Sequence, residues 1–361
     1  MNKLSAILSV LAVTCLQARA QFSYEIPFPK PISCPDDTVK MMIIGDVMMH
    51  SRQLEYDHTT FLSGIEDSMK TADICVANME FPLGGKPYTG YPVFSTPDWY
   101  ADYVADCGAD VFLTANNHIL DKGSAGMKRT LDYYSAMKSG RGVLYTGSGR
   151  DILEEKECNP LIVECKGIRI ALVNFTYGTN SGPSQSWPRV MRMDEARLED
   201  AMRRAEESDA DFIIALPHWG SEYELNHNGS QQRWAEWLVE NGADAVIGSH
   251  PHVVQDTTHI KGRPVIYSTG NAISNMSARN TRLELAVTLT FIRKFSDRSV
   301  RMTEPRIDFM WCTLPGMLTE SYKTIYIKEW ATRRSEWLNP SDYDNMIATL
   351  ERVKAATGIE D

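Results

Sequence analysis

Four stretches of the chain share one hydrophobic pattern. Each opens on Ala-Asp, runs through a short apolar segment and ends on polar residues able to bind metal or protons: Ala72 to Glu80, Ala109 to His118, Ala210 to His218 and Ala243 to His250. The apolar segments show no polar alternation, which predicts strands buried on both faces. Stretches with helical spacing, Glu195 to Glu207 and Gln231 to Asn241, precede two of them. The unit is therefore helix, Ala-Asp, strand, polar end, and its repetition predicts an α/β fold with right-handed crossovers. Val39 to Ile44, Arg169 to Phe175, Pro264 to Tyr267, Leu283 to Phe291 and Lys323 to Ile327 read as further strands, and Asp342 to Ala356 as a closing helix. No tract rich in Gly, Pro or Ser interrupts the series, so residues 39–361 are expected to form a single domain. The Pro-rich residues 21–38 read as an extended lead-in.

In open α/β sheets the loops after the strands gather at one edge, and ligands bind there. That edge should collect Asp46, His50, Asn78, Glu80, Asn117, His118, His218, His250, His252 and Asn271. Five of the eight histidines of the chain fall in this set, so a shared role outweighs separate structural roles. Carboxylates, an amide and several imidazoles, each after a different strand, are the inventory of a divalent metal site. Without thiolates it suits manganese, iron, zinc or cobalt. Asn78 and Asn116 read as turn formers outside the ligand set. His58, His227 and His259 read as solvated loop residues. Asp121, three residues after His118, is placed to orient its ring.

The first twenty residues stand apart: Lys3, an apolar run from Leu4 to Val13, and Ala18-Arg19-Ala20 before the expected cut. They read as a secretory signal peptide, residues 1–20, which implies an exported, periplasmic or extracellular protein. Lipoprotein anchoring at Cys15 is the less favoured form of export, because Ala12-Val13-Thr14 is a poor lipobox. Loss of Lys3 and Arg19 with the leader takes the formal charge from −10 to −12, which argues against nucleic acid as a partner. The remaining cysteines form no Cys-x-x-Cys pair, although export would permit a hairpin disulfide between Cys158 and Cys165.

Six motifs, "GDVMMH" (45–50), "NMEFPL" (78–83), "TANNHILDKG" (114–123), "PHWGSEYE" (217–224), "GADAVIGSHPHVVQ" (242–255) and "YSTGN" (267–271), occur in an order and spacing that resembles the CapA family. That family is linked to capsule and poly-γ-glutamate biosynthesis and belongs to the calcineurin-like metallophosphoesterase superfamily. The resemblance covers about residues 39–275. It implies a four-layer α/β/β/α sandwich, two mixed sheets face to face with helices outside. It also implies a dinuclear centre with Asp46, Glu80, Asn117, His218, His250 and His252 as ligands, and His118 as the group that protonates a leaving group. The family pattern has histidine two residues after the aspartate. Here Val47 and Met48 follow Asp46, and His50, four residues on, is the candidate ligand. Glu222 and Tyr223 are candidates for shaping the substrate pocket or bonding to His218, with Asn271 at the pocket edge. The implied function is an exported metal-dependent hydrolase or transferase using two ions. Its partner would be an anionic polymer such as poly-γ-glutamate or a capsule component, alongside a membrane synthase complex. A phosphoesterase, and a non-catalytic capsule-assembly or polymer-binding factor, are the alternatives.

Overall fold

The structure is a computed structural model that describes residues 23–25, 36–181 and 187–360. The signal segment, Cys15 and Cys34 lie outside the described residues. Of the lead-in, Ser23–Glu25 forms a short strand. Among the described residues no helix is long and apolar enough to cross a membrane.

The strands sort into two large sheets. One runs, edge to edge, Lys323–Tyr326, Arg306–Thr313, Leu283–Arg293, Asp37–Val47, Ile74–Met79, Val111–Leu113 and Leu144–Thr146. The other runs Ser23–Glu25, Leu161–Cys165, Ile168–Thr176, Phe212–His218, Ala245–Ile247, Arg263–Ile266 and Thr257–Ile260. Both are mixed. The parallel strands carry the predicted unit, and antiparallel neighbours flank them.

Each central strand feeds two cores. Val39, Met41 and Ile43 face the second sheet, where they pack with Ile170, Leu172, Ile214 and Leu216. Met42 and Ile44 face outward and pack with Tyr100, Val104, Met127 and Leu131 of the helices Asp98–Asp106 and Gly123–Arg141. On the far side Val173, Ile213 and Ala215 pack with Leu198, Met202 and Leu238 of the helices Glu195–Glu206 and Gly229–Glu240. The result is helix, sheet, sheet, helix: the four-layer α/β/β/α sandwich. Double-sided burial explains the unbroken apolar runs.

The repeated Ala-Asp has a local cause. Asp73, Asp110, Asp211 and Asp244 stand at the start of four parallel strands. Each accepts one backbone N–H from the neighbouring strand through its side chain: Lys40 at 2.9 Å, Cys75 at 2.7 Å, Arg169 at 2.8 Å and Ile213 at 2.9 Å. Each also donates its own N–H, at 2.8 Å, to the carbonyl of that same residue. The pair of bonds clamps the register of two parallel strands where their ladder begins.

The strands after residue 281 complete the first sheet, and the helix Pro340–Thr357 packs Met346 and Val353 into the inter-sheet core. Arg282 reaches Asp342 of that helix through two bonds of 2.6 Å, both residues buried. The hairpin disulfide that export would permit does not form: Cys158 and Cys165 are buried thiols, one at a helix end and the other at the end of the strand Leu161–Cys165.

Candidate metal centre

The two sheets bring their strand ends to one rim. Asp46, Glu80 and Asn117 come from the first sheet, and His218, His250 and His252 from the second. Asn174, at the end of Ile168–Thr176, laces the halves together: it accepts from Ala115 N–H and donates to the Leu216 carbonyl, at 2.8 and 2.7 Å.

Asp46 lies past a register shift in its strand. Gly45 makes that shift possible, because a Cβ there would meet the Gly270 carbonyl at 2.0 Å. The Gly45 N–H donates to buried Glu284 at 2.8 Å, and Asp46 N–H donates to Gly270 O at 3.0 Å. His250 and His252 both adopt left-handed backbone, φ +101° and +58°. Such conformations cost about 1–3 kcal/mol each and persist where their surroundings impose them.

All six candidate ligands are buried. His218 Nε2 lies 2.8 Å from Asn117 Oδ1 and 3.7 Å from Glu80 Oε1. His252 Nε2 lies 3.8 Å from the same glutamate oxygen, and its Nδ1 3.3 Å from Asp46 Oδ2. Two sets, Glu80 with His218 and His250, and Asp46 with Glu80 and His252, each keep their donor atoms within 4.8 Å of one another. Glu80 belongs to both. Bonds of about 2.1 Å place adjacent ligand atoms of one ion about 3 Å apart, so the spacing suits divalent cations.

Polar satisfaction gives an independent test. Both carboxylate oxygens of Glu80 and Nδ1 of His250 are buried without a hydrogen-bond partner. Buried polar atoms are almost always paired, and an orphaned carboxylate is costly. The orphans sit between the remaining candidate ligands, so the donor set fits a cation. Without one, burial first, and then the Asp46 charge, push the Glu80 carboxyl well above the usual range. Burial pushes His218 down to about 3 and His250 well below 6.5. Asp46 moves the other way: burial alone would raise it, but His252 and His218 together hold it below its ordinary value. His252 is raised, because Asp46 outweighs the effect of burial.

The supporting residues are mostly ones the sequence did not single out. Asn78, read from the sequence as a turn former, stands in the strand Ile74–Met79 and donates to Asp46 Oδ1 at 2.7 Å, and Ser249 Oγ lies 3.0 Å from His218 Nδ1. Asn180 Nδ2 lies 3.3 Å from His118 Nδ1 and 3.4 Å from its Nε2. Glu284 alone carried a signal, as the one acid inside the apolar run Leu283 to Phe291. His118 stands beside the six, its Nδ1 2.7 Å from Asp121 Oδ2, which also accepts the Phe94 N–H at 2.8 Å.

Three further expectations change. His50 stays outside both ligand sets; its Nδ1 faces Gln53 Oε1 at 3.1 Å and the Asn275 amide at 3.3 Å. The two extra residues after Asp46 carry it past the centre to the start of a short helical turn, Ser51–Glu55. Asn271 is fully buried and does not edge a pocket: its Oδ1 lies 2.8 Å from His252 Nδ1, and its Nδ2 donates to the Thr281 carbonyl at 3.0 Å. It orients an imidazole. Glu222 and Tyr223 make no bond to His218, whose ring nitrogens face Ser249, Asn78 and Asn117. Both are exposed, with the Tyr223 ring 6.3 Å from that of His252.

Comparison with known proteins agrees with the sequence motifs. The family model described as bacterial capsule synthesis protein PGA_cap matches residues 40–276. The chain is similar to the capsule biosynthesis protein CapA of Bacillus anthracis, 25% identical over 68% of this chain and 62% of that protein. It is similar also to the PGA biosynthesis protein CapA of Bacillus subtilis, 26% identical over 70% of this chain and 68% of that one. The chain thus spans less than two thirds of the Bacillus anthracis relative. A crystal structure described as a novel phosphatase from Mycoplasma pneumoniae aligns with 76% of this chain and 94% of its own, at 13% identity and a TM-score of 0.45.

Proposed function

This chain belongs to the bacterial capsule synthesis protein PGA_cap family, and from that premise we propose that it is an exported, metal-dependent hydrolase or transferase. Its substrate is a capsule polymer or poly-γ-glutamate, and it works at a two-ion centre. The observation that carries the reading is Glu80: a buried carboxylate with no hydrogen-bond partner on either oxygen, common to two sets of imidazole and carboxylate donors. A bridging ligand has that placement.

Asp46, Glu80 and His252 would hold one ion, and Glu80, Asn117, His218 and His250 the other. When bound, such ions supply Lewis acidity toward a carbonyl or phosphoryl oxygen and lower the pKa of water. The remaining work falls to the protein. Asn271 and Ser249 fix the rings of His252 and His218, which keeps their free nitrogens turned to Glu80 and Asn117. Asp121 holds His118 through Nδ1, so the ring delivers a proton to the leaving atom from Nε2. Phe94 packs edge-on against that ring, centroids 4.7 Å apart, and shields it from water.

Metal analysis of the gently purified protein tests the centre, with two transition-metal ions per chain expected and none in Asp46→Ala or His250→Ala. Incubation with γ-linked oligoglutamate and with an aryl phosphate then reads the reaction. Shortened oligomers support the amide reaction, and phosphate release alone reassigns the protein as a phosphoesterase. Full metal occupancy with no turnover of capsule material, and polymer output unchanged in the ligand variants, would point instead to an assembly factor. Cell fractionation tests export.

A further inference from the structure

Three tyrosines surround the centre, each over a different histidine. Tyr91 is 71% exposed, and its ring centroid lies 6.5 Å from that of His118. Tyr177 is 46% exposed and 4.5 Å from His250, and Tyr223 is 47% exposed and 6.3 Å from His252. They come from three loops, following the strands Ile74–Met79, Ile168–Thr176 and Phe212–His218.

Each loop is tied to the backbone of the site. Tyr177 N–H donates to the His218 carbonyl and Tyr223 N–H to the Pro251 carbonyl, both at 2.9 Å. Tyr223 holds a left-handed φ of +68° to do so. The Tyr91 loop is closed by paired bonds between Thr89 and Ser95, and its Gly90 lies against the chain at His50 and Ser51, where an added Cβ would meet Ser51 N at 2.3 Å. The backbone that carries these rings is therefore held at the rim, and the rings keep much of their apolar surface in water beside the histidines of a buried polar centre.

We propose that Tyr91, Tyr177 and Tyr223 form the substrate-binding rim of this centre, and that they take the face of a ring, such as a sugar of a capsule polymer, attached to the anionic group that reacts below. The proposal rests on the metal-centre reading and, of the two substrates proposed above, favours a ring-bearing capsule polymer over poly-γ-glutamate. Tyrosine offers wide, rigid contact area with little entropy to lose, which suits ring faces.

Paired phosphonates separate the rim from the centre. The metal-loaded protein is titrated calorimetrically with methylphosphonate and with phenylphosphonate, which carry the same anion and differ in the ring. Wild-type protein should prefer phenylphosphonate, by about three- to tenfold for each ring it meets. Tyr→Ala changes should shrink that preference and the triple variant abolish it, while Tyr→Phe retains it, because the face and not the hydroxyl is used. Metal content and methylphosphonate affinity report whether each variant keeps its centre. If methylphosphonate fails to bind wild-type protein, the centre is wrong and the rim falls with it. If methylphosphonate binds but the phenyl preference is absent, or survives in the triple variant, the rim alone is overturned. Tighter binding of γ-linked diglutamate than of phenylphosphonate would overturn the ring assignment.

Discussion

Replacing Glu80 with glutamine should stabilise the metal-free protein and destabilise the metal-loaded one. The carboxylate is fully buried with neither oxygen hydrogen-bonded. With cations present it is neutralised. With cations removed it must stay charged in a poor solvent or take up a proton. Protonation caps the cost. A carboxyl with an ordinary value of 4.5 is neutralised at a cost of about 1.4 kcal/mol per pH unit, hence about 4 kcal/mol near pH 7.5 and about 1.4 near pH 5.5. An unpaired buried polar group costs at least about 1–3 kcal/mol. Glutamine carries no charge and escapes the cost of neutralisation, while its amide still bears the desolvation of an unpaired polar group. Unfolding entropy of about 2.1 cal/mol/K per residue over the roughly 320 residues described gives about 0.7 kcal/mol/K, so Glu80→Gln should raise the Tm of chelated protein by about 3–6 °C near pH 7.5.

The pH dependence has a definite sign. A folded pKa raised above its unfolded value means that the folded chain binds the extra proton. Its stability is fullest at or below pH 4.5 and falls as pH rises toward the raised value. The depressed His218 and His250 act oppositely, losing stability as pH falls below 6.5, but they are common to both proteins and cancel in the difference. The advantage of Glu80→Gln should therefore shrink to about 2 °C near pH 5.5. Differential scanning calorimetry with and without chelator reads all four states. Chelated wild-type protein at or above chelated Glu80→Gln near pH 7.5 would refute the reasoning, because the orphaned carboxylate would then carry no penalty for a cation to relieve.

His118→Asn should reduce turnover by about 10²- to 10⁴-fold with metal content unchanged, and Asp121→Asn by less, since it only orients the ring; steady-state kinetics beside metal analysis checks both. Gly45→Ala, whose Cβ would meet the Gly270 carbonyl at 2.0 Å, should displace Asp46 and lose metal while the fold stays cooperative, read by metal analysis and circular dichroism. Asp342→Ala strands the buried Arg282 guanidinium and should cost about 3–5 kcal/mol in urea denaturation; a cost under about 1 kcal/mol would show that the pair is not desolvated. Asp110→Ala leaves the Cys75 N–H without its side-chain acceptor and should cost about 1–3 kcal/mol by the same method.

The candidate ligands were legible for a geometric reason. A strand buried on both faces has no use for polar side chains until it reaches the rim, so the first Asp, Glu, Asn or His after an apolar run marks the rim. Asp46, His218 and His250 obey this rule. The division into two sheets does not follow from the same pattern. Val39, Met41 and Ile43 face one core and Met42 and Ile44 another, yet all five are equally apolar, and only strand pairing separates the layers. The six motifs supplied the sandwich where periodicity was silent. The Ala-Asp repeat was visible as a pattern, but its cause, a carboxylate clamp on the next strand, needed the neighbour's identity.

The residues that orient the centre were hidden for a related reason. Ser249, Asn174 and Asn180 act through hydrogen bonds to partners distant in sequence, and alone each resembles an ordinary loop or strand-end polar residue. Asn271 shows the consequence: the rule for finding ligands placed it correctly at the rim and assigned it the wrong task, because exposure, which distinguishes an orienting residue from a contacting one, is a property of the packed fold. His50 fails in the opposite direction, a residue of the right type whose spacing carries it past the rim. Residue type and strand position therefore identify where chemistry gathers. Assigning a role to each residue requires knowing which of its atoms are already bonded, and by that criterion the oxygens of Glu80 and Nδ1 of His250 are the atoms left for a cation.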